Sequence, residues 1–160
     1  MASTTTPAIT SFRGAHRFLS NFHPADVWYL DVWYPTVEHA YVAAKSNNPR
    51  VRRNIATIVS PGGAKIAGRR LVLRPDWEKV KLLVMHDLLR QKFQNPHLRA
   101  DLLATGDAEI IEGNTWGDQF WGAVRLPSGA WLGENHLGRL LMEVRAELQS
   151  STSYDFKDLV

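Results

Sequence analysis

A mostly α-helical α+β fold, one compact domain with short β hairpins, is what this 160-residue sequence predicts. Three observations carry that prediction. Helix start signals recur at Thr36, Ser60-Pro61, Asp76 and Pro96, each followed by apolar residues at helical spacing. Segments rich in aromatic and β-branched residues are short, over Asp26 to Tyr34 and Ala123 to Leu132. No repeat and no linker-like composition shift divides the chain, whose length suits a single domain with a real core.

Taken in order, Met1 to Ala8 is small and polar, which predicts a flexible tail over 1–8 before a domain over 9–149. Ile9 to Phe22 mixes aromatics with turn formers, which predicts short extended pieces joined by tight loops; Arg13 and Asn21 are its notable polar groups. Asp26 to Tyr34 breaks at Asp31, giving two expected strands around a turn, with Trp28 and Trp33 expected in the core. Pro35 then keeps Tyr34 out of helical geometry and Thr36 can cap free amides, so a helix is expected from Val37 to Ser46. Glu38 sits in its first turn. Lys45 follows close to two turns later, on the same face and roughly 10 Å along the axis, with Tyr41 and Val42 between. That gap is too long for a simple ion pair and long enough to bracket a sugar; the alternative is a solvated helix with scattered charges.

After Pro49, Val51, Ile55 and Ile58 recur at helical spacing, with Arg50, Arg52 and Arg53 on other faces. Ser60-Pro61 starts the next helix, where Gly62 and Gly63 beside Lys65, Arg69 and Arg70 suggest either a phosphate cradle or close helix packing. The spacing is not that of a P-loop. These basic groups make either a surface for a polyanion or a solvated face. Asp76 is expected to cap the longest helix, running to about Phe93 with Trp77, Val80, Val84 and Leu88 in one stripe. Pro96 opens a shorter helix with Leu98, Leu102 and Leu103 inward, ended by Gly106, and Ala108 to Glu112 reads as a strand. Gly113 to Gly122, dense in glycines, polar groups and large rings, reads as a site loop. A hairpin through Pro127-Ser128-Gly129 and a final helix from Asn135 to Leu148 complete the domain, leaving 150–160 as a polar tail or partner segment.

Composition narrows the chemistry. The chain has no cysteine, so disulfides and thiolate metal sites are excluded, which fits a reducing compartment. Its six histidines show no ligand spacing, and there is no nucleophile elbow, zinc helix or dinucleotide fingerprint, so neither metal nor cofactor is expected. No apolar run approaches a membrane span and the first residues lack signal-peptide character, which predicts a cytoplasmic protein with no membrane partner. A formal charge of +3 permits an anionic ligand without requiring nucleic acid. What remains is Glu38, Lys45 and Asp118 among aromatics, a set suited to a cationic sugar-like transition state.

Six stretches then sharpen the reading. Phe12-Arg13-Gly14, Leu19-Ser20-Asn21-Phe22, Pro35-Thr36-Val37-Glu38-His39 with the later Lys45, Asp76-Trp77, Asn114 to Gly122, and Gly133 to Arg145 resemble, in register, the YbiA-like NADAR family of N-glycosidases. The resemblance implies a compact, mostly helical fold and hydrolysis of the bond between ribose C1 and an exocyclic amine of a base. It implies two substrate classes: phosphoribosylamino-pyrimidine intermediates of riboflavin biosynthesis, and ADP-ribose on guanine, as a nucleotide or in DNA. It also implies a Schiff base at Lys45 with Glu38 shuttling protons, and Trp77, Trp116 and Trp121 as rings that stack on base or sugar. Arg13 and Lys65 are candidates for phosphate, and Asn21 and Asn114 for other substrate contacts. Where some relatives carry an acid directly after the Trp-Gly pair, this chain has Ala123; whether Asp118 supplies that carboxylate stays open, as does substrate choice, because Ala123 to Leu132 is longer than in those relatives. A non-catalytic ADP-ribose or NAD-related nucleotide-binding module is the alternative function, and no oligomeric state is specified.

Overall fold

The structure, a computed structural model, describes residues 6–154 and the side chains of 6–151. Residues 1–5 and 155–160 of the expected tails lie outside the described residues. The chain divides into two compact units, one spanning Asn21–Asn95, the other joining the chain before it to the chain from Pro96 onward.

In the first unit, β1 (Val27–Tyr29) and β2 (Val32–Tyr34) form an antiparallel hairpin in which Val27 faces Tyr34 and Tyr29 faces Val32. Leu30 and Asp31 both take positive φ, 42° and 67°, matching the tight turn that such hairpins need. Trp28 and Trp33 are 40% and 63% exposed, which corrects their expected place in the core. They pair with each other instead, edge to face at 5.0 Å. Strand alternation explains this: Val27 and Tyr34 take the inner face, leaving both indoles on the outer one.

α1 (Val37–Ala44) follows, capped as expected by Thr36, whose hydroxyl accepts the His39 N–H. All eight of its residues are buried, against α2 (Pro49–Ala56), α3 (Pro61–Gly68), α4 (Trp77–Lys92) and the hairpin, which excludes the solvated-helix alternative. A fully buried histidine needs both ring nitrogens satisfied. His39 has them, with Thr36 Oγ1 at 2.8 Å and the Ile58 carbonyl at 2.9 Å. At Gly68 a Cβ would come within 2.9 Å of the Val42 side chain, so here close helix packing requires the glycine. Asn48 and Ser60 cap α2 and α3 through their side chains. Asp76 makes no such cap on α4; its carboxylate is taken in a two-pronged pair by Arg74, at 2.6 and 3.0 Å.

In the second unit, Gly14–Leu19 is a 3₁₀ helix, not the extended pieces expected. Phe18 and Leu19 at its end are both buried. Ile9 bridges Ile110 in parallel, and Ala108 to Glu112 contributes only that bridge where a strand was expected. α5 (Pro96–Ala104) buries Leu98 and Leu102. A small sheet in the order β3 (Gly113–Asn114), β4 (Ala123–Arg125), β5 (Trp131–Leu132) is parallel, then antiparallel. α6 (His136–Tyr154) buries Leu137, Leu140, Leu141, Val144 and Leu148 and, at 19 residues, exceeds the 16 of α4, which was expected to be longest. Residues 150–154 continue it. Asn135 sets its entry, accepting from Glu112 N–H and donating to the Ile110 carbonyl, both at 2.9 Å.

Candidate active site

The first unit brings together Glu38, Lys45, Lys65 and Trp77. Glu38 stands in the first turn of α1, 9% exposed, its backbone N–H donating to the Asn21 carbonyl at 3.1 Å. Burial pushes its carboxyl above the ordinary value, against the opposing pull of Lys65 and Lys45. Lys45 ends the same helix with its ammonium over the Tyr41 ring, 5.3 Å from the centroid. Burial pushes this amine below its ordinary value; Glu38 opposes the shift and Lys65 adds to it. Lys65 reaches the group from α3 and lies over the Phe22 ring at 5.9 Å. Trp77, the first residue of α4, is 5% exposed and packs on Tyr41 with centroids 5.1 Å apart. The Arg74 N–H holds the Lys45 carbonyl at 2.7 Å, and the Arg74 side chain bonds both Asp76 and the Tyr29 hydroxyl, which ties the end of α1 to the start of α4.

Burial therefore drives two titratable groups on one helix toward their neutral forms, an acid able to give a proton and an amine able to attack carbon. Asn21 adds an unspent acceptor. Its Nδ2 contacts Met85 Sδ at 3.6 Å, while its Oδ1 is buried without a hydrogen-bond partner. Trp77→Ala should destabilise the chain by about 3–5 kcal/mol, read by denaturant unfolding, because a buried indole is lost from the Tyr41 contact.

The remaining candidates belong to the second unit. Asn114 is spent on the loop it opens: it donates to the Asp118 carbonyl at 2.7 Å and the Ala123 carbonyl at 3.3 Å, and accepts the Asp118 N–H at 2.9 Å. Asp118 Oδ1 accepts from Phe120 N–H at 3.1 Å and Trp121 N–H at 2.9 Å. A Cβ at Gly122 would overlap the Glu112 backbone and carboxylate, so the loop closes only with glycine there. Trp116 is 59% exposed, and Arg13 is exposed at the start of the 3₁₀ helix. Trp121 and Phe120 meet edge to face at 5.0 Å, and Phe120 lies 4.5 Å from the His136 ring, whose Nε2 pairs with Glu134 at 2.6 Å. Sequence reading did not single out that His136–Glu134 pair; a histidine two residues after an acid carries no distinctive signal until the loop folds over it. Of the basic groups, Arg50, Arg53, Lys65, Arg69 and Arg70 are exposed, whereas Arg52 is half-buried and donates to the Ser46 carbonyl at 3.0 Å. Among the described residues no helix is long and apolar enough to cross a membrane. Among them also, no group of three acidic or histidine side chains is placed to hold a metal ion.

The solved NMR structure of Escherichia coli YbiA matches this fold with a TM-score of 0.76 at 35% identity, covering 93% of this chain and 89% of that one. In sequence, the E. coli N-glycosidase YbiA is 42% identical over 118 residues, 72% of this chain and 71% of that protein. An N-glycosidase of Nostoc punctiforme is 36% identical over 140 residues, covering 84% and 86%. A riboflavin biosynthesis protein of Vibrio vulnificus is 35% identical over 91% of this chain, which spans only 39% of that protein's length. The YbiA and Nostoc punctiforme relatives are named N-glycosidases. Residues 10–149 match the NADAR domain model, and the chain belongs to the NADAR family.

Proposed function

We propose that the chain is an N-glycosidase that hydrolyses the bond between ribose C1 and an exocyclic amine of a base. Its substrate is ADP-ribosylated guanine, free or in DNA, or a phosphoribosylamino-pyrimidine of riboflavin biosynthesis. The observation that carries this is the buried carboxyl of Glu38 and the half-buried amine of Lys45 at the two ends of α1, each biased toward neutrality. The names of the relatives agree with it.

The steps follow from those two groups. The exocyclic nitrogen lone pair forms C1=N as the bond from C1 to the ring oxygen breaks, and Glu38 gives that oxygen its proton. Lys45 Nζ adds to C1, the base amine departs with a proton, and the lysine imine remains. Water adds to the imine carbon, Lys45 leaves as the amine, and the freed aldehyde closes to the ribose hemiacetal. One water is consumed, and one base and one sugar are released. The unpaired Asn21 Oδ1 is assigned to a ribose hydroxyl, Lys65 to phosphate, and Trp77 to a ring contact. Asp118 has a second carboxylate oxygen beyond the one that shapes its loop. Asp118→Asn keeps an Oδ1 acceptor, so it should leave the melting temperature unchanged; a turnover loss of about 10²-fold would then assign the carboxylate to chemistry, and full turnover would confine it to the loop.

Incubation with both substrate classes, reading released base and sugar by mass, tests the function. Release from either class is expected. Tight ADP-ribose binding with no release from any of them would overturn the enzyme reading in favour of a binding module.

A further inference from the structure

The β1–β2 hairpin borders a groove that the glycosidase chemistry does not use. It is lined by Ala25, Asp26, Trp33, Gln91, Lys92, Gln94 and Asn95 and encloses about 590 Å³, within the ordinary range for small-molecule sites. Its wall is rigid. Gln91 on α4 accepts the Trp28 N–H at 2.8 Å and donates to the Trp28 carbonyl at 3.0 Å and to Asp87 at 2.8 Å, so the hairpin is clamped to the helix by both polar groups of one residue. Trp33, 63% exposed, offers a ring face at its rim. Trp33 is held there by its edge-to-face pairing with Trp28 at 5.0 Å, and an exposed indole is a stacking surface for a flat ring.

We propose that this groove is a second ligand site, taking a guanine-type base stacked on Trp33 with its donor edge on Asp26 and its carbonyl oxygen on Gln94. The polar groups left over in the groove choose the ligand. Asp26 presents two acceptors side by side, which match the parallel N–H donors of guanine as they match a guanidinium fork. Gln94, exposed in the turn just past α4, has an amide donor for the oxygen of the same ring. Adenine would set an acceptor nitrogen against the carboxylate and is disfavoured. A sugar lacks the flat face that an exposed indole rewards, and base stacking is sequence-tolerant in strength, so the edge contacts carry the choice. The floor does not favour a phosphate: Lys92 is 1% exposed and burial pushes its amine down to about 7, so it offers an anion little positive charge. The base is therefore held with its phosphate toward solvent. This site goes beyond the glycosidase reading and does not rest on it.

The test is a titration of the full chain with guanosine 5′-monophosphate, adenosine 5′-monophosphate and inorganic phosphate, followed by NMR of indole and side-chain amide protons. The guanine nucleotide is expected to shift the Trp33 indole and the Gln94 amide, the adenine nucleotide to do so at least about tenfold more weakly, and phosphate not at all. Followed at the Gln94 amide, Trp33→Ala should weaken binding about tenfold, and Trp33→Phe, which keeps a ring in the hairpin, should restore part of the affinity. Asp26→Asn should erase the preference for guanine while turnover of the glycosidase substrates is unchanged. Shifts confined to the surroundings of Glu38 and Lys45, equal response to phosphate, or equal guanine and adenine affinity in the wild type would overturn the proposal. None of these readouts depends on turnover, so a failed glycosidase assay leaves the test intact.

Discussion

Lys45→Arg is expected to lower turnover on the order of 10⁴-fold, about 5.5 kcal/mol of barrier, and to form no covalent adduct. Direct water attack or double displacement at C1 needs carboxylates and no amine, whereas capture of an opened imine needs an uncharged lysine beside that carbon. The site favours that condition. Burial and the charge of Lys65 both bias the Lys45 amine toward its neutral form, and only Glu38 opposes them. Arginine keeps the length and charge at the end of α1 but cannot lose its proton, so stability should survive while the nucleophile disappears. Borohydride added during turnover should reduce the imine and leave a sugar-mass increment on the peptide carrying Lys45. Robust turnover by Lys45→Arg, or a wild-type enzyme that borohydride never traps, would sink the Schiff-base route and return the chemistry to the carboxylates.

Glu38→Gln should lower turnover by about 10²–10⁴-fold with ligand affinity nearly kept, because it is close to isosteric and removes only the transferable proton. Its pH behaviour follows from the sign of the shift. Burial raises the folded-state pKa of Glu38, so the stability tied to its neutral form is fully present below the unfolded value of 4.5 and is lost as pH rises through the folded value. Glutamine carries no such loss. The melting temperature of Glu38→Gln should therefore gain on the wild type as pH increases across that window. Lys45 has the opposite linkage: its neutral amine favours folding above 10.5, and that advantage fades as pH falls through the lowered folded value. On the proposed mechanism turnover needs a protonated Glu38 and a neutral Lys45, so the wild-type pH profile should be bell-shaped, with the Glu38 limb above 4.5 and the Lys45 limb below 10.5. A Glu38→Gln enzyme with near-normal rates would remove the carboxyl from the mechanism.

Much of this arrangement was legible before folding because it depends on neighbours in the chain. Thr36 before Val37, Ser60 before Pro61 and the apolar stripe from Leu137 to Leu148 each specify a local hydrogen bond or a helical face, and all three hold. The spacing of Glu38, Tyr41 and Lys45 is of the same kind, since a helix puts them on one face wherever it is packed. The failures have different causes, one local and one tertiary. Asp76 reads as a cap until Arg74, two residues away, takes both its oxygens. Ile9 to Phe22 reads as extended, whereas Gly14–Leu19 folds as a 3₁₀ helix with Phe18 and Leu19 buried at its end.

The sequence by itself determined the helices, the hairpins, the family and the spacing that puts Glu38 and Lys45 on one face, because periodicity, capping and local spacing are properties of the chain. Only the tertiary structure decided the state of those groups: α2, α3, α4 and the hairpin bury every residue of α1, and desolvation raises the carboxyl and lowers the amine. It brought Lys65 to them from another helix, spent Asn114 and one oxygen of Asp118 on shaping their loop, and turned Trp28 and Trp33 outward. Pattern tells which residues share a face; what covers that face, and so whether a charge or an indole meets water, depends on contacts between segments far apart in the chain.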